Sequence, residues 1–160
     1  MVTFGCGNEP SRTAETTSTD CKYGTPTPIF TPTLEQVETH SFSAQGQKGV
    51  EKIKFKNGTE LELYQSGCDD LIQSYQFILD TTETGDDRYW VEKAVAQMRF
   101  LAGLSEEYLT FNLWANAIAN NSEVISLGEA FEPEPYTFIM IDKIPSGDKT
   151  ILVITLEAKS

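Results

Sequence analysis

The clearest pattern of hydrophobic and polar positions surrounds Asn57-Gly58, where apolar residues alternate with charged ones on both sides. Alternation with a period of two around Asn-Gly predicts a β-hairpin. A two-residue loop would send the apolar residues of the two strands to opposite faces of the hairpin. We therefore predict a three-residue loop that begins at Lys56, has Gly58 in the left-handed region, and pairs Ile53 with Leu61 on one face.

Downstream of the hairpin the pattern changes from strand to helix. Alternation continues over residues 74–80 and predicts a third strand. From Trp90 onward the apolar residues recur every three or four positions, which is typical of one face of an α-helix. Asp86 or Asp87 is the expected N-cap of this helix, and Gly103 is its expected end.

A second helix and a group of strands complete the predicted domain. Ser105 is placed to cap a helix that continues to about Ala119, and the short connection predicts that the two helices are antiparallel. Further strands are expected at residues 123–127, 136–144 and 149–158.

The last two of these strands are apolar at nearly every position, as expected for central strands covered on both faces. The order of the predicted elements along the chain, strands followed by two helices and further strands, predicts the α+β class. We expect the antiparallel helix pair to pack on one face of a mostly antiparallel sheet. The second face of the sheet then needs a cover, which is either the N-terminal part of the chain or a partner.

The N-terminal part of the chain has a different composition. From Asn8 to Thr33 it contains eight threonines and four prolines, and almost no large apolar residue before Ile29. Such a segment cannot bury enough apolar surface to offset the entropy lost on ordering. We predict a Thr/Pro-rich stem over residues 1–33 and a single domain over residues 34–160, since 160 residues suit one domain.

The chain is strongly acidic, with a formal net charge of −12 at pH 7. Nucleic acids and anionic membrane surfaces are polyanions, and proteins bind them through Lys and Arg. The charge therefore disfavours both classes of partner and favours a basic protein. A simpler role for the charge, keeping the protein soluble, remains the alternative.

Cys6 follows Thr3-Phe4-Gly5 and precedes polar residues. This segment resembles the lipobox of bacterial lipoproteins, in which a small residue precedes a cysteine that is lipidated. Gly5 matches that pattern, whereas Thr3 and Phe4 depart from it, and no charged and apolar signal regions precede the segment. The resemblance implies a lipid anchor at Cys6 on an exported protein, periplasmic or attached to the outer membrane. The alternative is a free cysteine in a disordered tail.

The remaining two cysteines, Cys21 in the stem and Cys68 after the hairpin, are expected to form a disulfide in an oxidising compartment. The bridge would hold the stem against the sheet. In a reducing compartment both would instead be free thiols.

The sequence carries no motif that identifies a reaction. His40 is the single histidine, and a nucleophile-and-base pair with Cys68 has no support in the local sequence. Neither a Gly-x-Ser-x-Gly turn nor a phosphate-binding glycine loop is present. There is also no CxxC pair or Cys/His cluster. We therefore expect no catalytic residue, no cofactor and no metal.

Carboxylates are the candidate groups for binding a basic partner. One set follows Cys68 in a predicted loop, and a second lies in a proline-stiffened acidic segment over residues 129–136, where two aromatic residues bracket three carboxylates. Its alternative interpretation is a solvated loop. The candidate residues are Asp69, Asp70, Phe131, Glu132, Glu134 and Tyr136.

These features favour a non-enzymatic binding protein of the bacterial envelope, such as an inhibitor or immunity protein against a basic wall-degrading enzyme or toxin. Two alternatives remain open. One is a small hydrolase that uses only carboxylates, with Asp69, Asp70 or Glu132 as candidates. The other is a structural component of a surface assembly that adds a neighbour at its edge strands.

Overall fold

The structure is a computed structural model, and it describes residues 21–81 and 85–160. Within these residues, seven strands form one sheet in the order β1-β2-β3-β4-β7-β6-β5, and every neighbouring pair is antiparallel. Two α-helices pack against each other. The α+β class is therefore confirmed. The elements are β1 (Val37–Gln45), β2 (Lys48–Phe55), β3 (Glu60–Ser66), β4 (Leu71–Leu79), α1 (Asp87–Ala102), α2 (Phe111–Asn120), β5 (Ala130–Glu134), β6 (Thr137–Ser146) and β7 (Lys149–Ala158).

The hairpin of β2 and β3 has the predicted register. Ile53 pairs with Leu61, and the backbone N–H of Phe55 donates to the carbonyl of Thr59 at 2.8 Å. Gly58 has a φ of 90°, in the region that favours glycine. The three-residue loop is confirmed, and it directs the apolar residues of both strands to the same face.

Helix α1 has the predicted ends. The Asp86 side chain accepts a hydrogen bond from the backbone N–H of Tyr89 at 2.9 Å, which caps the first turn. The N–H of Gly103 donates to the carbonyls of Arg99 and Phe100, both at 3.1 Å. Gly103 keeps a right-handed φ of −81°, so the helix ends there without the left-handed turn that a glycine often supplies.

The prediction of one helix starting at Ser105 is wrong. A single 3-10 turn over Glu106–Tyr108 comes first, and α2 starts only at Phe111. Ser105 makes no side-chain capping bond. The tighter turn presents Tyr108 to the N-terminal segment, where its hydroxyl donates to the carbonyl of Ile29 at 3.3 Å. Nothing in the local sequence indicates this tertiary contact.

The predicted strand at 123–127 is also wrong, because that segment consists largely of turns. The chain joins the sheet edge only after Gly128, whose N–H donates to the carbonyl of Ile141 at 2.8 Å. The next residues form β5, where the sequence indicated an acidic loop. Strand β4 begins at Leu71, three residues before its predicted start, because its first residues pair with the end of β7. The strands predicted at 136–144 and 149–158 are confirmed as β6 and β7.

The core lies between the helices and one face of the sheet, which we call the core face. Trp90, Met98 and Ile118 of the helices are fully buried with Leu152 and Ile154 of β7. The opposite face of the sheet, the outer face, is covered by none of the described helices.

The described part of the predicted stem, residues 21–33, lies against the core face, and we call it the strap. Phe30 is only 2% exposed, and its ring stacks on those of Tyr108 and Phe111 at centroid distances of 5.3 and 5.9 Å. At the other end of the strap, the sulfur atoms of Cys21 and Cys68 lie at bonding distance, with a Cα–Cα distance of 4.6 Å. The strap is therefore attached at two points. Cys6 lies outside the described residues.

Candidate binding surface at the acidic end of the sheet

One end of the sheet gathers the β3–β4 loop, the β5–β6 turn and the last residues of β7. Leu71 at the start of β4 pairs with Ala158 at the end of β7, and Ala158 also pairs with Thr137 at the start of β6. Adjacent strands are about 4.8 Å apart, so the start of β4 and the start of β6 are about 10 Å apart. The β3–β4 loop and the β5–β6 turn are therefore neighbours.

The C-terminal residues bridge these two connections. The carboxylate of Asp70 accepts hydrogen bonds from the backbone N–H and the hydroxyl of Ser160, at 2.9 and 3.3 Å. The N–H of Lys159 donates to the carbonyl of Tyr136 at 2.8 Å. The structure thus brings the two acidic candidate sets to one end of the molecule. Asp69 is exposed beside Asp70 in the same loop.

The acidic segment forms an edge strand and a two-residue turn, and not a loop. Phe131 pairs with the buried Ile139 and packs half-buried against the core, so it is not an exposed anchor. The Glu132 carboxylate accepts the backbone N–H of Tyr136 at 2.9 Å and closes the turn. Glu134 is exposed at the end of β5, 3.5 Å from the hydroxyl of Thr137. Phe131 and Glu132 therefore have structural roles, while Glu134 remains accessible.

Tyr136 is the most unusual residue of this end. Its φ is 65°, and it is the one residue other than glycine with a positive φ in the described part of the chain. Its side chain is nevertheless 68% exposed. A bulky residue in the left-handed region is strained, and such strain is concentrated at functional sites. An exposed tyrosine is also a frequent anchor in protein interfaces.

Sequence reasoning missed the apolar neighbours of this end. Ile72 and Phe138 lie on the outer face, on either side of Glu157 of β7. The ammonium of Lys159 lies 4.6 Å from the centroid of the Phe138 ring and 3.6 Å from a carboxylate oxygen of Glu157. Only the pairing of β4, β7 and β6 reveals this neighbourhood, since about 66 residues separate Ile72 from Phe138 in the sequence. We define the acidic end as Asp69, Asp70, Glu134, Tyr136 and Glu157, together with Ile72 and Phe138.

His40 and Cys68 do not form a nucleophile-and-base pair. Cys68 is bonded to Cys21, and the Nε2 of His40 lies 2.7 Å from a carboxylate oxygen of Glu51. Glu51 is fully buried and also accepts the backbone N–H groups of Ile29 and Phe30, at 2.8 and 2.9 Å. A buried carboxylate needs such partners. The pair therefore attaches the strap to the sheet.

A depression of about 390 Å³ lies between the strap, β4 and the start of α2. Tyr108, Phe111 and Trp114 contribute aromatic surface to it, together with Tyr75 and Ile29. Tyr75 is almost completely buried, and this burial raises the pKa of its phenol, with a further contribution from the charge of Glu51. Its hydroxyl donates to the side-chain carbonyl of Gln73 at 3.2 Å. These rings also form part of the core, so we assign the depression a packing role.

In the part of the chain that the structure describes, no three His, Cys, Asp or Glu side chains converge on a point where they could hold a metal ion. No helix of residues 21–81 and 85–160 combines the length and the apolar composition that crossing a membrane requires.

Comparison with known proteins finds no matching family model, no significantly similar curated protein and no significantly similar solved structure. The function is therefore argued from the chemistry of the surface.

Proposed function

We propose that the chain is a non-enzymatic, extracytoplasmic binding protein that recognises a basic protein at the acidic end of its sheet. The observation that carries the proposal is the convergence of the two acidic segments around the exposed and strained Tyr136. An aromatic anchor with a charged rim is the usual composition of a protein interface. Carboxylates at the rim would attract a basic partner and speed its association.

The tertiary structure favours this role over a hydrolase. Asp70 is engaged by Ser160, and Glu132 closes the turn at Tyr136, so both carboxylates already have hydrogen-bond partners within the protein. Asp69, Glu134 and Tyr136 remain exposed at this end of the sheet. Exposed charged and aromatic side chains suit recognition of a basic protein. Inhibition of a basic wall-degrading enzyme or toxin is the specific form of recognition that we propose.

The disulfide supports an exported protein, because disulfides persist in oxidising compartments such as the periplasm. We propose an envelope location on this basis, with a lipid anchor at Cys6 as the means of attachment. Mass spectrometry of the protein purified from membranes tests the anchor. An unmodified Cys6 would contradict it and would leave the binding role untouched.

The test of the binding role is affinity capture from envelope extract of the source organism. The bait is the full chain with its disulfide intact, because a fragment that starts at residue 34 would lack both Cys21 and Phe30. A captured protein is identified by mass spectrometry, purified, and titrated against the bait at low salt and at about 0.5 M salt, where the Debye length falls to a few ångströms. We expect a basic partner whose affinity falls steeply with salt.

Two charge-matched variants locate the surface. The first combines Asp69→Asn, Asp70→Asn and Glu134→Gln, and we expect it to weaken binding by about tenfold or more.

The second variant combines Glu92→Gln, Glu123→Gln and Asp148→Asn, three exposed carboxylates away from the acidic end. It removes the same number of negative charges and should bind almost normally. Equal loss in both variants would mean that overall charge, and not the acidic end, controls binding. Capture of no protein across repeated extracts would remove the main support for the proposal.

A further inference from the structure

The two edges of the sheet differ in how they are protected against pairing with another strand. Natural proteins block such edges with short strands, prolines, register shifts and charged side chains. The β5 edge has all four, because it is five residues long, contains Pro133, shifts register between Phe131 and Glu134, and exposes the Glu132 side chain. A further strand is therefore unlikely to add at β5.

The β1 edge is open over most of its length. Strand β1 has nine residues, six of them exposed, and it carries neither proline nor lysine. Its register shift lies at its start, between Val37 and Thr39, so residues 39–45 pair regularly with β2. Among the described residues, β2 is its only strand neighbour. A long and regular edge of this kind is a template for pairing with another chain.

The register of β1 and β2 decides which backbone groups of β1 point away from the sheet. Gln45 pairs with Lys48 across a two-residue turn, and such a pair exchanges two hydrogen bonds. Pairs with and without hydrogen bonds then alternate along the two strands. The backbone N–H and C=O groups of His40, Phe42 and Ala44 therefore point outward. In the part of the chain that the structure describes, they have no backbone partner outside the strand.

These outward groups are complementary to themselves. When a second copy of β1 runs antiparallel to the first with the two Phe42 residues opposite each other, His40 of each copy lies opposite Ala44 of the other. Every outward N–H then meets an outward C=O, as in a regular antiparallel ladder. A register shifted by two residues would instead place Gly46 of the turn, or Glu38 at the register shift, opposite the strand. The pattern therefore favours the register centred on Phe42.

The side chains of the two strands are compatible in this register. On the core face the two Phe42 side chains are neighbours, and each packs over Gly49 together with Pro26 of the strap. On the outer face Ser41 of each copy lies opposite Ser43 of the other. Aromatic pairs and hydroxyl pairs of this kind stabilise adjacent strands.

The charges near the edge also permit a second copy to approach. Glu38, at the start of β1, is paired with Lys54 at 3.3 Å. The outer face of β2 carries Lys48, Lys52 and Lys54, so the acidic side chains that give the chain its net charge of −12 lie mostly elsewhere. In the pair of copies, the two β2 strands would be three strand spacings apart, about 14 Å, which exceeds the Debye length of about 8 Å at physiological salt.

We propose that two copies of the chain pair through their β1 strands, antiparallel and about a two-fold axis at Phe42, to form one continuous sheet. Both copies use the same surface, and the β5 edge is protected, so the assembly closes at two copies. Two edge strands bury less area than a standard interface, and we therefore expect a weak dimer with a dissociation constant of roughly 0.1–1 mM. This inference does not depend on the proposed function.

The test uses the full chain, isotope-labelled and with its disulfide intact, over a concentration series from about 0.02 to 2 mM that brackets the expected dissociation constant. Sedimentation measures the size of the assembly, and NMR measures hydrogen exchange at single amides. We expect a dimer as the largest species. The amides of His40, Phe42 and Ala44 should become protected as the concentration rises, whereas those of Ser41 and Ser43, which bond to β2, should be protected at every concentration.

Two variants of β1 test the edge directly. Ala44→Pro removes an outward N–H from each copy and leaves the hydrogen bonds between β1 and β2 intact, so the fold should survive. We expect it to weaken the dimer by about tenfold or more.

Ser41→Lys places a charge on the exposed edge and should also weaken the dimer. Asn116→Lys is its matched control, because it makes the same change of charge at an exposed position of α2. The control should dimerise like the unmodified chain. Unchanged melting temperatures of the variants at low concentration show that the fold is retained.

Salt separates this inference from the proposed function. Screening should strengthen a dimer of two chains that each carry a net charge of −12, whereas it should weaken binding of a basic partner. The variant that combines Asp69→Asn, Asp70→Asn and Glu134→Gln should still form the dimer. Loss of partner binding in that variant with an intact dimer supports both proposals independently.

Three outcomes would overturn the inference. They are a chain that stays monomeric over the whole concentration series, concentration-dependent protection of amides outside β1 with none at Phe42, and normal dimerisation of both Ala44→Pro and Ser41→Lys. None of these outcomes bears on the acidic end, so the proposed function would stand or fall by its own test.

Discussion

At the scale of single residues, a side chain in the left-handed region costs about 1–3 kcal/mol of conformational free energy, and Tyr136 carries that cost with a φ of 65°. Neither the core nor a buried hydrogen bond of its side chain compensates for it, since the ring is largely exposed. The turn residues usually found at such a position are Gly and Asn. A tyrosine at this position fits the proposed contact with a partner.

We predict that Tyr136→Gly raises the free energy of unfolding by about 1 kcal/mol, because glycine adopts a positive φ without strain. The same variant should weaken binding of the captured partner. Urea unfolding and a binding titration measure the two effects. Tyr136→Asn is the matched control, since asparagine also tolerates this backbone conformation. A loss of stability in both variants would show that the tyrosine ring supports the fold.

Because the phenol of Tyr75 is buried, we predict that the free energy of unfolding falls at alkaline pH. Burial raises its pKa above the ordinary value of 10.0, so the unfolded chain ionises first and the folded chain stays protonated. The stability that this residue contributes is complete below pH 10. It falls by about 1.4 kcal/mol for each further pH unit, until the folded pKa is reached.

Tyr75→Phe removes the contribution of this phenol to the pH dependence of stability. At neutral pH the variant should be less stable by about 1 kcal/mol, because the hydroxyl loses its bond to Gln73. Above pH 10 the difference should shrink and then reverse. Parallel urea titrations from pH 7 to about 11.5 measure it, and a difference independent of pH would contradict the assignment.

At the scale of elements, the strap is joined to the sheet by a disulfide at one end and by Glu51 near the other. The hairpin, α1 and the last two strands follow from local patterns, because turn geometry and side-chain period act within a few residues. The strap and β5 do not. The strap is ordered by groups far away in the sequence, and β5 is ordered by pairing with the neighbouring β6. The polar or acidic composition of these segments gives no sign of either arrangement.

We predict that Glu51→Gln destabilises the protein by about 3 kcal/mol, because an amide nitrogen would then face one of the backbone N–H donors or His40. Hydrogen exchange at the amides of Ile29 and Phe30 should accelerate most. Glu62→Gln is the control, because its partners, the ammonium of Lys52 and the hydroxyl of Tyr64, belong to exposed side chains and the change should cost about 1 kcal/mol or less. Similar losses in the two variants would contradict the role of Glu51 in holding the strap.

At the scale of the whole molecule, the acidic charge has opposite consequences for stability and for binding. With a net charge of −12, the negatively charged side chains of the folded protein repel one another. The same charge would attract a basic partner. Most of the described ion pairs are exposed and contribute little. Screening should therefore strengthen the fold while it weakens the complex.

We predict that raising the salt concentration from about 10 mM to 200 mM increases the melting temperature by a few degrees, because the Debye length falls from about 30 Å to below 10 Å. Differential scanning calorimetry in NaCl and in KCl measures the shift, and agreement between the two salts excludes specific ion binding. A fall in the melting temperature would mean that attractive pairs outweigh the repulsion.

The sequence by itself determines the α+β class, the hairpin register and both ends of α1, because alternation and capping act locally. It left the Cys21–Cys68 bridge conditional on an oxidising compartment, and the structure places the two sulfur atoms at bonding distance. The sequence also determines the net charge of −12. Only the tertiary structure decides that the two acidic segments share one end of the sheet, that Phe131 packs inward, and that the described helices and the strap lie on the same face of the sheet. These features depend on which strands are neighbours, and strand order follows from packing of the whole chain and not from any one segment.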